Sequence, residues 1–142
     1  TFVGDGETRK AVEEKVKLLN LDNHIKFQGR TNDVASVLAE NKIYVHSALY
    51  EPFGLVFLEA MAVGLPVVSL DGKGNRDLIQ NDVNGYLIPQ GDVNQFVDRI
   101  IELTENPSCF FRIQKNGFET AKKYDIVPYC DQLIEIYSKT NN

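Results

Sequence analysis

Short apolar runs alternate along the chain with longer stretches of mixed polarity. The apolar runs, rich in Val, Ile, Phe and Tyr, are predicted strands at residues 1–3, 25–28, 42–46, 66–70 and 85–88. The stretches between them are predicted helices at residues 7–19, 33–40, 54–63 and 75–80. This alternation is typical of βα units and a parallel sheet. Short continuous apolar runs are typical of strands buried on both faces.

The last third of the chain predicts three consecutive helices. The first begins at Asp92, with Gln95 three residues later in a variant of the capping box. Asn106 and Pro107 begin the second, since proline is well tolerated at the first helical position. The third covers residues 126–138, and we expect these helices to pack back on one edge of the sheet. The predicted fold is a doubly wound, Rossmann-like α/β fold, with residues 1–142 as a single domain ending in consecutive helices.

Composition narrows the possible functions. The chain has 142 residues, 43% of them hydrophobic, and a formal net charge of −5 with both signs interspersed. Without a basic run we expect no nucleic-acid partner. The two cysteines lack CxxC spacing and the two histidines lack cysteine partners, so neither a disulfide framework nor a metal site is expected. No apolar run approaches the ~20 residues that span a bilayer.

The loop after residues 42–46 is the candidate ligand-binding site, because proteins with such folds bind ligands at the carboxyl ends of their strands. This loop enters the nearly apolar helix 54–63, which we expect to be the most buried helix. At its start, the amides of Gly54, Leu55 and Val56 have no intrahelical acceptor. These amides and the helix dipole favour an anion such as a diphosphate.

Two carboxylates flank this helix start. Glu51 precedes it, and Glu59 lies about one and a half turns inside. A charge within so apolar a helix is costly without a partner, and sugar or ribose hydroxyls can donate to a carboxylate. The alternatives are a solvated Glu51 and a Glu59 paired with a buried arginine. His46 is interpreted as a core histidine with satisfied hydrogen bonds.

Five segments carry a family resemblance. Glu51 and Glu59 are separated by seven residues that include Phe53-Gly54-Leu55, which resembles the EX7E signature of retaining glycosyltransferases with the GT-B fold. Residues 59–68, read as EAMAVGLPVV, resemble the continuation of that signature. Three further segments resemble the family's strand regions in the same order: VGDG at 3–6, FQG at 27–29 and NGYLIP at 84–89. The family is glycosyltransferase family 4, also described as glycosyl transferases group 1.

The resemblance implies that this chain is the C-terminal, donor-binding half of a GT-B enzyme. Glu59 would bind the ribose hydroxyls, and the amides of residues 53–56 would hold the distal phosphate. Glu51, the candidate catalytic residue, would meet hydroxyls of the donor sugar. Arg30 and Thr31 would line the nucleobase pocket. The donor-binding residues are then Gly4, Arg30, Thr31, Phe53, Gly54, Leu55, Val56 and Glu59.

The implied reaction transfers a hexose from a UDP- or GDP-linked donor to a glycan or lipid-linked acceptor, with retention of configuration. We expect no cofactor, no metal and no protein nucleophile. Because the chain opens within a strand and lacks an initiator Met, we expect it to be truncated on its N-terminal side. The missing part would bind the acceptor, and this chain alone would be inactive. The full-length enzyme is expected in the cytoplasm, with a peripheral position at the inner face of the membrane as an option.

Two alternatives remain open. One is a non-catalytic nucleotide-binding or regulatory module of the same fold, and the other is a GT-B-like nucleotide-sugar epimerase. The chain departs from the family at Asp77, where a glutamate is usual, within Gly72-Lys73-Gly74-Asn75-Arg76-Asp77. This departure puts the donor contact of that loop in question.

Overall fold

A computed structural model describes residues 1–140 as an α/β protein with parallel strands. The predicted order of elements is confirmed, although most elements are shorter than predicted. The strands are β1 (Phe2–Val3), β2 (Phe27–Gly29), β3 (Tyr44–His46), β4 (Val67–Leu70) and β5 (Tyr86–Ile88). The helices are α1 (Arg9–Leu18), α2 (Val34–Ala39), α3 (Leu55–Ala62), α4 (Asn75–Leu78), α5 (Val93–Glu105), α6 (Pro107–Lys123) and α7 (Ile126–Thr140).

Residues Thr1–Val34 form one compact unit. In it β1 and β2 pair in parallel, with Phe2 opposite Phe27 and their rings stacked at 5.2 Å. Phe2 remains 53% exposed and Val3 47% exposed. The expectation of a strand buried on both faces is therefore wrong for β1. The reason is the small core of this unit, in which Val16 of α1 is the buried hydrophobic side chain.

The second unit begins at Ala35 and contains a three-stranded parallel sheet in the order β3-β4-β5. The central strand β4 is buried on both faces as predicted, since Val67 and Val68 are both 0% exposed. The edge strand β3 leaves Val45 45% exposed. For β3, too, the expectation of burial on both faces is wrong, because an edge strand has a neighbour on one side only.

Helix α3 supplies more buried side chains than any other element to the core on one face of this sheet. Its side chains Phe57, Ala60 and Met61 are fully buried and cluster with Val67. The prediction that this is the most buried helix is confirmed. On the other face Val68 clusters with residues of α5 and α6.

The starts of the terminal helices agree with the predictions. The Asp92 side chain accepts a hydrogen bond from the Gln95 amide at 3.0 Å, and Asn106 accepts one from the Cys109 amide at 3.1 Å before Pro107. The expected packing of all three helices is wrong for α7, where Ile126 and Ile134 are each 66% exposed. Helices α5 and α6 contribute side chains to the core, whereas no α7 residue with a described side chain is buried.

Both thiols are free within residues 1–140, Cys109 buried and Cys130 exposed. None of the helices described is both long and apolar enough to cross a membrane. In the same part of the chain, no three His, Cys, Asp or Glu side chains group in a way that could hold a metal ion.

Candidate functional site

Two loops lie side by side at the carboxyl end of the second unit's sheet. One follows β3 and the other follows β4, and these strands pair in parallel. Tyr50 and Lys73 form an isolated parallel bridge between the loops, and the Glu51 amide donates to the Lys73 carbonyl at 3.1 Å. The backbone of Glu51 is thus held by the neighbouring loop, at the edge where ligands of α/β sheets bind.

Two glycines allow this close approach. A Cβ atom on Gly72 would lie 2.1 Å from the Leu49 carbonyl oxygen, and one on Gly74 would lie 1.7 Å from the Glu51 carbonyl oxygen. Gly74 also has a φ of +87°, which favours glycine. Any side chain at either position would push the two loops apart. The sequence showed this loop only as a departure from the family pattern.

Asn75 connects the same two loops through side-chain hydrogen bonds. Its side chain is 0% exposed, and its amide nitrogen donates to the Leu70 carbonyl at 2.7 Å and to Ser69 Oγ at 2.9 Å. A longer contact of 3.4 Å reaches the Ala48 carbonyl. Asn75 therefore joins the end of β4 to the loop after β3. Sequence reasoning missed this role, because a single asparagine in a loop carries no local signal of such contacts.

The start of α3 presents free amide donors. Gly54 is the N-cap, with a left-handed φ of 86° and ψ of 35°. Its carbonyl accepts from the Phe57 amide at 2.9 Å. Among residues 1–140, the amides of Gly54, Leu55 and Val56 have no hydrogen-bond acceptor. The structure thus contains the set of unpaired donors that the sequence predicts.

Glu51 and Glu59 both lie within electrostatic range of one hydroxyl. Burial is the main cause that raises the pKa of Tyr44 to about 12, and the negative charges of Glu51 and Glu59 raise it further. Both carboxylates thus act electrostatically on Tyr44, the first residue of β3. Tyr44 itself was missed from the sequence.

The argument for a partner of Glu59 needs correction. Glu59 is exposed, although Leu58 and Ala60 beside it are buried. Leu55 and Glu59 are one turn apart and share a solvent-facing side of α3. The Glu59 charge therefore carries no burial cost that a ligand must offset. Its binding role remains a prediction that rests on position and on the family resemblance.

His46 is not the satisfied core histidine that the sequence suggested. Its Nδ1 lies 3.0 Å from the Tyr44 hydroxyl, and its ring meets the Phe57 ring edge-on at 4.9 Å. Its Nε2 is buried without a hydrogen-bond partner in residues 1–140. The nearest carboxylate atom is Glu51 Oε2 at 3.9 Å, which is beyond hydrogen-bond distance. Burial lowers the pKa of His46 and outweighs the opposing effect of the Glu51 charge.

The remaining predicted residues belong to the first unit. Gly4 follows β1 and Arg30 follows β2, and the Gly4 amide donates to the Gly29 carbonyl at 2.7 Å. Arg30 is exposed. Thr31 Oγ1 accepts from the Asp33 amide at 3.1 Å. These residues lie at the carboxyl end of two parallel strands, as predicted.

The loop after β4 also contains the family departure. Asp77 is exposed and lines a cavity of about 280 Å³ together with Lys123 and Tyr124. Arg76 donates both Nε and Nη2 to the Asp71 carboxylate, the longer bond being 2.8 Å. Phe53 is 53% exposed and meets Tyr124 edge-on at 6.4 Å.

Comparison with known proteins adds a family assignment to this geometry. The sequence profile described as glycosyl transferases group 1 matches residues 1–123. The chain is 31% identical to the lipopolysaccharide core biosynthesis glycosyltransferase LpsE of Rhizobium meliloti, with 84% of the chain and 35% of that protein covered. It is 28% identical to UDP-Gal:alpha-D-GlcNAc-diphosphoundecaprenol alpha-1,3-galactosyltransferase of Escherichia coli, with 94% and 37% covered.

Solved structures agree with this assignment. The crystal structure of Anabaena Alr3699/HepE in complex with UDP-glucose matches with a TM-score of 0.85 and 30% identity. The match covers 96% of this chain and 40% of that protein. The chain thus spans between a third and two fifths of these relatives.

Proposed function

This chain belongs to the glycosyl transferases group 1 family and has the fold of a GT-B glycosyltransferase domain, and we propose that it binds the donor of a retaining hexosyltransferase. The observation that carries the proposal is the group of free amides at the start of α3, placed between Glu51 and Glu59. A diphosphate offers acceptor oxygens and negative charge to those amides. The carboxylates on either side offer acceptors for hydroxyl groups.

Each part of a nucleotide sugar then has a partner. The amides of residues 53–56 hold the distal phosphate, and Glu59 accepts hydrogen bonds from the ribose hydroxyls. Glu51 accepts hydrogen bonds from hydroxyls of the donor sugar. The family resemblance assigns Arg30 and Thr31 to the base and includes Gly4 among the donor-binding residues. This assignment follows the order of the family motifs along the chain.

The same arrangement suits the chemistry of glycosyl transfer. When the bond between sugar and diphosphate breaks, negative charge develops on the leaving phosphate oxygen, and the helix start stabilises it with oriented amides. Glu51 orients the sugar and favours positive charge at its ring. We propose that these groups act without a metal and without a protein nucleophile, so that configuration is retained by attack on the face from which the phosphate leaves.

We propose UDP as the nucleotide in preference to GDP. The name of the galactosyltransferase from Escherichia coli contains a UDP-linked sugar, and Anabaena HepE is described with UDP-glucose. The acceptor is proposed to be a glycan or a lipid-linked saccharide, bound by a part of the protein outside these 142 residues. The support is the length of the relatives and the lipid-linked substrate named for one of them. A cytoplasmic enzyme with peripheral contact to the inner membrane face suits such an acceptor.

Calorimetric titration of the chain with UDP, GDP, ADP and UDP-glucose tests the proposal. We expect saturable binding of UDP and UDP-glucose, weakened by Glu59→Gln by about 1.5–3 kcal/mol, or roughly 10–150-fold. Glu105→Gln, at an exposed acidic position at the end of α5, is the matched control and should leave affinity unchanged. Equal affinity of wild-type and Glu59→Gln chains would remove Glu59 from the ribose role. Absence of binding to every nucleotide would contradict the proposed function. Sugar transfer catalysed by this chain alone would contradict the proposal that a part of the protein outside these 142 residues binds the acceptor.

A further inference from the structure

Strand β3 delivers a tyrosine and a histidine to the same face of the sheet. Tyr44 and His46 are two residues apart, so their side chains point the same way, and their hydroxyl and Nδ1 atoms lie 3.0 Å apart. The Phe57 ring of α3 packs edge-on against the imidazole at 4.9 Å. The ring of His46 is therefore held in place by a strand neighbour and by the fully buried Phe57. Of the two ring nitrogens, Nε2 is the one without a hydrogen-bond partner among residues 1–140.

The surroundings decide which ring nitrogen carries the proton. In a neutral imidazole one nitrogen donates and the other accepts. If Tyr44 donates to Nδ1, then Nε2 carries the hydrogen and turns it toward Glu51 Oε2, 3.9 Å away. In the other tautomer, the Nε2 lone pair would face a carboxylate, which is repulsive. Tyr44 keeps its proton because burial and two nearby carboxylates raise its pKa. The charged or titratable groups around the ring thus favour a hydrogen on Nε2.

We propose that His46 is a positioning residue that donates its Nε2–H to Glu51 and fixes this carboxylate for the hydroxyls of the donor sugar. The inference rests on the proposed function of Glu51. The gap of 3.9 Å is about 1 Å longer than an ordinary N–H···O bond. The proposal requires the Glu51 side chain, which is 29% exposed, to move toward the ring by that amount. Hydrogen bonds of this kind are often long in a free enzyme and shorten in its complexes.

Burial contributes to this role by keeping the imidazole neutral. The pKa of His46 is lowered mainly by burial, so at neutral pH the ring donates a hydrogen bond without adding a positive charge. No imidazolium charge is then placed beside the Glu51 carboxylate. A neutral donor orients the carboxylate and leaves its remaining oxygen lone pairs available.

The first test needs no ligand. NMR of the two imidazole nitrogens of His46 in the wild-type chain reports which one is protonated. We expect the proton on Nε2, with Tyr44→Phe shifting the population toward Nδ1. A wild-type ring with its proton on Nδ1 would overturn the inference whatever the chain binds.

The second test compares UDP-glucose with UDP in calorimetric titrations. His46→Asn keeps a polar group near the Nδ1 position and removes the donor at Nε2, whereas the longer His46→Gln reaches that position. We expect His46→Asn to weaken UDP-glucose binding roughly tenfold while UDP binding stays unchanged. His46→Gln should restore most of the loss. In a Glu51→Ala background, which lacks the acceptor, His46→Asn should have no further effect.

The two possible failures can be told apart. Equal losses for UDP and UDP-glucose, or full additivity of His46→Asn and Glu51→Ala, would reduce His46 to a structural residue and overturn the inference. Should the wild-type chain bind neither ligand, the proposed function fails. The position of the proton on His46 is measured without ligand, so it still tests the tautomer that the contact to Glu51 requires.

Discussion

Replacing Gly74 by alanine should separate the two loops of the site. The new Cβ atom would lie 1.7 Å from the Glu51 carbonyl oxygen, and real Cβ contacts essentially never fall below 3.0 Å. The carbonyl must therefore move by at least 3.0 − 1.7 = 1.3 Å. Such a shift also strains the hydrogen bond from the Glu51 amide to the Lys73 carbonyl, which is 3.1 Å long.

A matched control separates the loss of stability in Gly74→Ala into backbone strain and steric clash. Gly91 has a φ of +86°, almost the same as the +87° of Gly74, but an added Cβ would meet nothing within 4 Å. Gly91→Ala should therefore cost only the left-handed backbone strain, about 1–2 kcal/mol. Gly74→Ala adds an overpacking cost of about 1–3 kcal/mol and roughly 1 kcal/mol for the weakened hydrogen bond. The free energy of unfolding should thus fall by about 2–4 kcal/mol more for Gly74→Ala.

Urea denaturation of both variants measures this difference, because both glycines lie in the second unit. The same samples, titrated with UDP-glucose under native conditions, should show at least tenfold weaker binding for Gly74→Ala and unchanged binding for Gly91→Ala. Equal destabilisation of the two variants would refute the close approach of the loops. A destabilised Gly74→Ala with unchanged affinity would instead show that the backbone position of Glu51 does not matter for the donor.

Two further predictions concern side chains under the site. Because burial lowers the pKa of His46 below its ordinary 6.5, the unfolded chain binds more protons in the range between the two values. The stability that the neutral ring contributes is present above pH 6.5 and falls as the pH drops below it, so wild-type stability should depend more steeply on pH there than that of His46→Gln. Asn75→Ala should lower the free energy of unfolding by about 1–3 kcal/mol, because Ser69 Oγ loses its donor and the Leu70 carbonyl keeps only the hydrogen bond from Ser69 Oγ. The half-buried Asn116 donates an exposed hydrogen bond of 2.8 Å to the Val83 carbonyl and is the control, and Asn116→Ala should cost less than half as much.

Local pattern was sufficient for the order of the elements and for the helix starts. The side chains of Asp92 and Asn106 cap α5 and α6 where the sequence predicts, because capping depends on residues three positions apart. The same pattern could not separate a central strand from an edge strand. Val68 in β4 and Val45 in β3 both lie in apolar runs, yet the first is buried and the second is 45% exposed. Burial of a strand depends on what lies beside it, and a run of residues does not contain that information.

The candidate site shows the same division between local and distant information. The amides at Gly54 and the two carboxylates lie within nine residues of one another, and their spacing was visible in the sequence. The exposure of Glu59 was not visible, because α3 carries one charge among apolar residues and its solvent-facing side shows only in three dimensions. The shared face of Tyr44 and His46 follows from the two-residue period of a strand. The sequence does not show that His46 Nε2 lacks a hydrogen-bond partner, because the groups around this atom come from α3 and from the loop after β3.

The departure of this chain from the family pattern can now be placed physically. The loop after β4 holds Glu51 through the Lys73 carbonyl and through the lack of a side chain at Gly74, while Asn75 joins it to the preceding loop. All three residues precede Asp77, whose side chain is exposed beside a separate set of cavity residues. A change from glutamate to aspartate at that position therefore affects only the contacts that the side chain at position 77 makes. The placement of Glu51 depends on backbone contacts that such a change leaves intact, so the altered loop is compatible with a working donor site.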